Sequence, residues 1–168
     1  MVFRILDASA FYAGVPFGSK EEYYTTTLVY EEIKHIKKKH DALGILLETN
    51  RLKIVDPDNR SMNSAIASAK ETGDYQQLSK QDISVIALCI NLNGQIVTDD
   101  FAVTNVAKNI GLKTSSVMTT GIQDVGRWTH YCPACRKNHN SGKNCSICGT
   151  TLKRKLIKRK SSSMPFNK

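Results

Sequence analysis

Four of the chain's five cysteines stand between positions 132 and 148, in YCPACRKNHNSGKNCSICGT, with the spacing C-x2-C-x9-C-x2-C. Two short turns that each present a pair of thiols suit one tetrahedral metal: Zn²⁺ first, with iron the other metal such a set accepts. Gly149 directly follows Cys148, where a knuckle turn often needs a residue without a Cβ. A segment of about forty residues buries little apolar core, so a bound metal supplies much of its folding free energy. The N-terminal MVFRILDAS carries neither a long apolar stretch nor a small-residue cleavage site. Without a secretion signal, disulfides are a poor account of the four thiols, and the expected compartment is the cytoplasm. Cys89 lies apart, in the apolar run SVIALCI, and is expected to be a core thiol.

Charge divides the chain near the same place. Residues 1–124 hold 13 Lys/Arg against 15 Asp/Glu, whereas residues 125–168 hold 11 Lys/Arg and no acid. A near-neutral unit thus precedes a strongly basic one. A basic appendage is the footprint of a phosphate-bearing partner, most often nucleic acid. Hydrophobic residues make up 40% of the 168, enough for one ordinary domain plus the appendage. No apolar run approaches the roughly 20 residues of a membrane-spanning helix, so no membrane partner is expected.

The first unit alternates strand and helix signals. Residues 2–6 suit a buried strand, and Gly14, Pro16 and Gly18 mark a loop after it. Threonines 25–27 open a helix whose Leu28, Ile33 and Ile36 line one face, with lysines 37–39 near its C-terminal end. ALGILLETN reads as a helix, LKIVDP as a strand, and residues 59–72 as a weaker helix ended by Gly73. LSKQDISVIALCINLNG is the clearest helix: Ser79 caps it, Asp82 three residues on completes a capping box, and Asn93-Gly94 stops it. A strand at 95–98, a helix to about Ile110 and a last strand in LKTSSVM follow. The alternation indicates an α/β domain with a mainly parallel sheet. The expected boundaries are 1–120 for this domain, 121–127 for a linker, 128–152 for the cysteine unit and 153–168 for a basic, partly disordered tail.

Acids gather at the predicted strand ends. Asp7 follows the first strand, and Asp99 and Asp100 follow a later one in QIVTDDFAV. Asp82 opens the helix before that strand, and Glu31 and Glu32 ride the helix begun by the Thr run. Ligands of open α/β sheets bind beyond the carboxyl ends of the strands. Each acid alone has a structural explanation, since Asp caps helices and Glu solvates an exposed face. Four carboxylates at one mouth repel each other unless a cation joins them. Mg²⁺ or Mn²⁺ takes oxygen ligands and activates water toward a phosphodiester. Pattern alone weighs a metal-dependent hydrolase evenly against the structural reading. It leaves open Glu31 against Glu32, and Asp99 against Asp100.

RILDASAF, TTTLVYEEI, TGDYQQLSKQDISVIAL and IVTDDFAVTNVA resemble, in that order, the successive motifs of the PIN (PilT N-terminal) nuclease domain. Followed by a four-cysteine zinc ribbon, they resemble the Nin-one-binding (NOB) family, the endonuclease that matures the 3′ end of small-subunit ribosomal RNA. The resemblance runs from residue 2 to about 155, and the short chain looks like the archaeal form. It implies a PIN-like three-layer domain with a small zinc-ribbon domain behind it. It implies catalytic acids at Asp7, Glu32, Asp82 and the Asp99-Asp100 step, with Asp7, Asp82 and Asp100 holding Mg²⁺ or Mn²⁺. Glu32, directly before Ile33, fits the family's helix acid better than Glu31; Asp100, two residues after Thr98, fits better than Asp99, which stays a candidate. Ser9 and Thr98 are secondary candidates for orienting a ligand, and Asp74 is expected to close a turn. The implied reaction is attack by water that leaves a 3′-hydroxyl. It needs no catalytic histidine, so His35, His40, His130 and His139 are expected at surface or structural positions. Implied partners are small-subunit precursor rRNA, the pre-small-subunit ribosomal particle and a KH-domain assembly factor.

Candidate phosphate contacts are Arg136, Lys137, Lys143, Lys153, Arg154 and Lys155, the last three within KRKLIKRK. Trp128, Tyr131 and His139 offer rings for base stacking, although packing onto the first domain is the favoured role of Trp128. Two other readings stay in view. A PIN-type toxin ribonuclease would not be expected to carry the zinc ribbon, and a non-catalytic RNA-binding assembly factor has no reason to keep repelling acids together.

Overall fold

Five three-residue strands form the first sheet: β1 (Arg4–Leu6), β2 (Tyr23–Thr25), β3 (Leu52–Ile54), β4 (Gln95–Val97) and β5 (Lys113–Ser115). They are described in a computed structural model that covers residues 2–35, 41–117, 124–140 and 142–160. All pair in parallel, in the order β3-β2-β1-β4-β5. Helices cover both sides: α1 (Ala8–Tyr12), α2 (Thr27–Ile33), α3 (Ala42–Glu48), α4 (Asn59–Thr72), α5 (Lys80–Leu92) and α6 (Phe101–Asn109). A sheet covered on both sides buries both faces of its central strands, and Ile5, Leu6 and Ile96 are fully inside. Strand order reverses at β1, which pairs β2 on one side and β4 on the other, with Leu6 opposite Val97. The residues that follow, Asp7 and Thr98, therefore meet at the switch point on the carboxyl edge.

Helix α5 runs through the core, with Val85, Ile86, Leu88 and Cys89 fully buried. Burial pushes the Cys89 thiol up to about 12, which suits an inert core residue. The capping box at Ser79 and Asp82 forms as its sequence predicts, and Asn93 closes the helix in the left-handed region. Helix α4 ends at Gly73, φ +81°.

The sequence reading leaves α1 and β2 undetected. Leu28 is 41% exposed, while Val29 and Ile33, one turn apart, are the buried pair. A spacing of five, from 28 to 33, rotates the two side chains off a common stripe, whereas four keeps them together. Ile36 and lysines 37–39 lie outside the described residues.

The second sheet is antiparallel, in the order β7-β6-β8, from β6 (Asp124–Tyr131), β7 (Asn138–His139) and β8 (Lys153–Lys160). Register runs from Asp124 opposite Lys160 to Tyr131 opposite Lys153. Residues 124–127, expected in a linker, and 153–160, expected in a tail, are thus strands that pair with each other. Backbone pairing over eight residues overrides a sequence whose charges conceal strand periodicity. The expected disorder of 161–168 lies outside the described residues. No helix among those described is long and apolar enough to cross a membrane.

The two sheets meet at the end of α4. Trp128 Nε1 donates to Asp74 Oδ1 at 2.8 Å, and Arg154 Nη2 donates to the Gly73 carbonyl at 2.8 Å. A Cβ on Gly73 would stand 3.0 Å from that of Trp128, so glycine serves both the left-handed cap and the close approach. Trp128 packs between the units, its favoured role. Asp74 is fully buried and also accepts from Asn105 Nδ2, and its carbonyl receives Gln77 and Leu78 N–H, closing the expected turn.

Candidate active site and metal centre

Asp7 leaves β1 and caps α1. Its Oδ1 accepts from Ala10 N at 3.0 Å and from Ser9 Oγ at 2.7 Å. Its Oδ2 accepts from Thr98 Oγ1, which in turn accepts from Asp100 N at 2.9 Å. Ser9 Oγ accepts from Asp99 N at 3.3 Å. The two hydroxyls therefore hold Asp7 against the end of β4. Asp7 is only 4% exposed, and burial raises its pKa against the pull of these hydrogen bonds, with the Asp82 charge adding to the rise. Burial thus works against the ionised carboxylate, an effect that a cation beside it would offset.

Three further acids reach the same place from other elements. Asp82 comes from the first turn of α5, where its Oδ2 accepts from Ser79 N and Oγ. Asp100 caps α6 by accepting from Val103 N at 2.9 Å. Glu32 comes from α2, whose cap Thr26 is tied to Ser84 of α5 by a buried 2.7 Å hydrogen bond. Asp7, Glu32, Asp82 and Asp100 line one cavity of about 270 Å³. Glu31 pairs instead with Lys34. Asp99 is not among the lining residues; its Oδ1 accepts from Ser116 Oγ and from Val117 N. The cap of α6 turns Asp100 to the cavity while the contacts with Ser116 and Val117 hold Asp99 toward the segment after β5, which separates the two aspartates. Tyr12, 55% exposed, also lines the cavity and is a residue the sequence reading missed. Its helix is too short to show periodicity, so no signal pointed to it. The donor set is all oxygen and anionic, which fits a hard divalent cation. No histidine lines this cavity.

The four cysteine sulfurs lie within 4.8 Å of one another. Cys132 and Cys148 Sγ are 3.3 Å apart, and Cys135 and Cys145 Sγ are 3.6 Å apart, beyond disulfide length. Zn–S bonds of about 2.3 Å imply tetrahedral edges of about 3.8 Å, so the set can close on one such ion. Each knuckle turns through a left-handed residue just after its second cysteine, Arg136 at φ +60° and Gly149 at φ +73°. Hydrogen bonds with Thr150 bring the Cys148 thiol down to about 6, whereas Cys135, despite a hydrogen bond with Lys137, is pushed up to about 11 by burial and the neighbouring sulfurs, so the set titrates together. His139 Nε2 lies 3.4 Å from Cys145 Sγ, so the ring is placed to support a ligand.

Arg136, Lys137, Lys143, Lys153, Arg154 and Lys155 are all exposed on the basic unit. Arg154 differs from the others, because it is already engaged with Trp128 and Gly73.

Residues 5–92 match the family described as the PIN domain of ribonuclease. The chain is 38% identical over 160 residues to Endoribonuclease Nob1 of Methanothermobacter thermautotrophicus, covering 90% of this chain and 92% of the relative. Ribonuclease VapC1 of Thermoplasma acidophilum is 33% identical over 134 residues, 79% of this chain and 68% of the relative. The 20S-pre-rRNA D-site endonuclease NOB1 of Saccharomyces cerevisiae is 33% identical over 81 residues, 48% of this chain and 17% of the relative. With identity above one third across nine-tenths of both chains, and the PIN-domain match over residues 5–92, the chain belongs to the Nob1 family of PIN-domain endoribonucleases.

Proposed function

We propose that the chain cleaves precursor rRNA to generate the mature 3′ end of small-subunit rRNA. The observation that carries the catalytic part is the meeting of Asp7, Glu32, Asp82 and Asp100 on one cavity at the switch point of the sheet. The substrate is argued from the yeast relative, which is named for the D site of 20S pre-rRNA. Asp7, Asp82 and Asp100 would hold Mg²⁺ or Mn²⁺, which would lower the pKa of water and offset charge on the phosphate. Ser9, Thr98 and the Ala10 N–H keep the Asp7 oxygens in one orientation. Glu32, on the exposed turn of α2, orients the attacking water. Cys132, Cys135, Cys145 and Cys148 would hold Zn²⁺, which would fix the fold of the basic ribbon. The working division is a nuclease domain ending before residue 124 and a ribbon that includes both β6 and β8. The ribbon grips RNA within the pre-small-subunit ribosomal particle, a KH-domain assembly factor helps present the strand, and the setting is cytoplasmic.

The test is cleavage of an RNA spanning the 3′ end of small-subunit rRNA and its downstream spacer. Zinc-loaded wild type and Asp7→Asn are compared with Mn²⁺, with Mg²⁺ and without added divalent ion, and cuts are mapped to the nucleotide. One cut at the mature end, absent in Asp7→Asn and without added ion, is expected. Scattered cutting would favour the toxin-type ribonuclease. Tight binding with no cut under any metal would favour the non-catalytic assembly factor.

A further inference from the structure

A second cavity, of about 310 Å³, opens where the end of α4 meets the ribbon. It shares no lining residue with the acidic cavity. Two cations lie over two rings in its wall: the Arg154 guanidinium 4.7 Å from the Trp128 centroid, and Lys70 Nζ 5.2 Å from that of Tyr75. Tyr75 is 42% exposed, and Glu71 is the one acid of the lining. Exposed rings beside cations take flat bases on their faces and phosphates at their charges, which is how single-stranded RNA is held. The volume lies at the lower end of the roughly 300–1,000 Å³ of small-ligand sites, the scale of one nucleotide and not of a duplex.

The chain fixes how far this cavity stands from the acids. Gly73, Tyr75 and Gln76 line the seam cavity, and Ser79, Gln81 and Asp82 line the acidic one. Three residue steps from Gln76 to Ser79 span at most about 11 Å. Both ends of that stretch are anchored, Asp74 through Asn105 and Trp128, and Ser79 through its capping box. The two linings are therefore joined by a short stretch held at both ends, which keeps those lining residues within the reach of a strand a few nucleotides long.

We propose that the seam cavity binds one nucleotide of the single-stranded RNA substrate, its phosphate drawing Lys70 off the Tyr75 ring and its base stacking on the face so freed, and so selects which phosphodiester reaches the acids. The proposal rests on the reading above that RNA is cut in the acidic cavity.

The test uses the full, zinc-loaded chain carrying Asp7→Asn, with a fluorescein-labelled 12-nucleotide single-stranded RNA crossing the cleavage position. Tyr75→Ala and Lys70→Ala are added, with Lys20→Ala, an exposed lysine remote in sequence, as the charge-matched control. All three side chains are exposed, and circular dichroism checks that each variant folds. Tyr75→Ala is expected to weaken binding about tenfold, Lys70→Ala several-fold, and Lys20→Ala less than twofold. One abasic position in the RNA should weaken wild-type-seam binding and have no further effect in Tyr75→Ala. Seam variants that bind like Lys20→Ala, or abasic positions that all behave alike, overturn the proposal. In chains with Asp7 intact, Tyr75→Ala is expected to blur or shift the cut. An unchanged cut site and rate would overturn the seam site and leave the nuclease reading standing. Weakened binding in the seam variants, with no cutting by wild type, would do the reverse.

Discussion

Asp99 and Asp100 are neighbours with separate structural work, and that separation is testable. Asp100 lines the acidic cavity and caps α6, whereas Asp99 receives Ser116 and Val117. Asn caps a helix about as well as Asp. Asp100→Asn should therefore lower cleavage by about 10²-fold or more while leaving the melting temperature nearly unchanged. Asp99→Ala should do the opposite: cleavage within a few-fold of wild type, with a loss of about 1–3 kcal/mol of stability from the abandoned donors. Single-turnover cleavage and thermal unfolding on both proteins decide it; equal loss of activity would mean that Asp99 also acts at the cavity. Asp7 carries a pH prediction. Its pKa is raised in the folded chain above 3.8, so between that value and the folded value the native state holds more protons than the unfolded one. Stability falls as pH rises through that window, and the deficit is complete above it. Asp7→Asn lacks the charge and keeps acceptor and donor atoms for Ala10 and Thr98. It should melt above wild type at pH 7 without added Mg²⁺ or Mn²⁺, with the difference shrinking toward pH 3.8, and added Mn²⁺ should stabilise wild type more. At this scale the sequence shows Asp7, Glu32, Asp82 and the Asp99-Asp100 step as candidates. It cannot show that Thr98 links Asp7 to Asp100, because that contact joins two strands 91 residues apart.

Helix starts determine where the acids point, and α5 is the clearest instance. Ser79 and Asp82 exchange hydrogen bonds in a capping box, and the Asp82 oxygen held there belongs to a carboxylate that also lines the cavity. One device sets both helix and site. Ser79→Ala should cost about 1 kcal/mol through the lost cap, lowering the melting temperature by about 2–4 °C for a chain of this size. It should also raise the Mn²⁺ concentration needed for half-maximal cleavage, because Asp82 loses the hydroxyl that fixes its rotamer. Ser79→Thr, which keeps the hydroxyl, should restore both; recovery of the melting temperature alone would confine the residue to a structural role. Capping chemistry is local, so α4 and α5 are legible from Gly73, Ser79 and Asn93, whereas the cap of α6 is Asp100 and not Asp99, the aspartate the sequence offers for that role. The five-residue α1 and the three-residue β2 are not, since neither spans enough chain to display a period. Likewise the face of α2 is set by the Thr26–Ser84 contact across 58 residues, which no local pattern announces.

Over the whole molecule, charge is separated by unit: residues 1–124 carry a small excess of acid, and residues 125–168 carry 11 cations and no acid. An acidic cavity repels the phosphates it must cut, so affinity for RNA has to come from elsewhere. Strand β8 is the obvious source, but it cannot simply be removed, because it pairs with β6 along its whole length. Truncation would unfold the ribbon and confuse lost charge with lost structure. Side chains alternate along a strand, which puts Lys153 and Lys155 on the face opposite Arg154, whose guanidinium is committed to Trp128 and Gly73. Lys153→Gln with Lys155→Gln therefore removes two exposed charges and leaves the seam intact. Each phosphate contact to a single strand contributes about 0.7 to the slope of log affinity against log salt. The double variant should bind RNA more weakly at low salt and show a slope shallower by about 1.4. The single tryptophan, held at the seam, should keep its fluorescence and so report that the ribbon is still docked. An unchanged slope with unchanged fluorescence would move the electrostatic grip from β8 to the knuckle cations Arg136, Lys137 and Lys143, where the same measurement can be repeated one charge at a time.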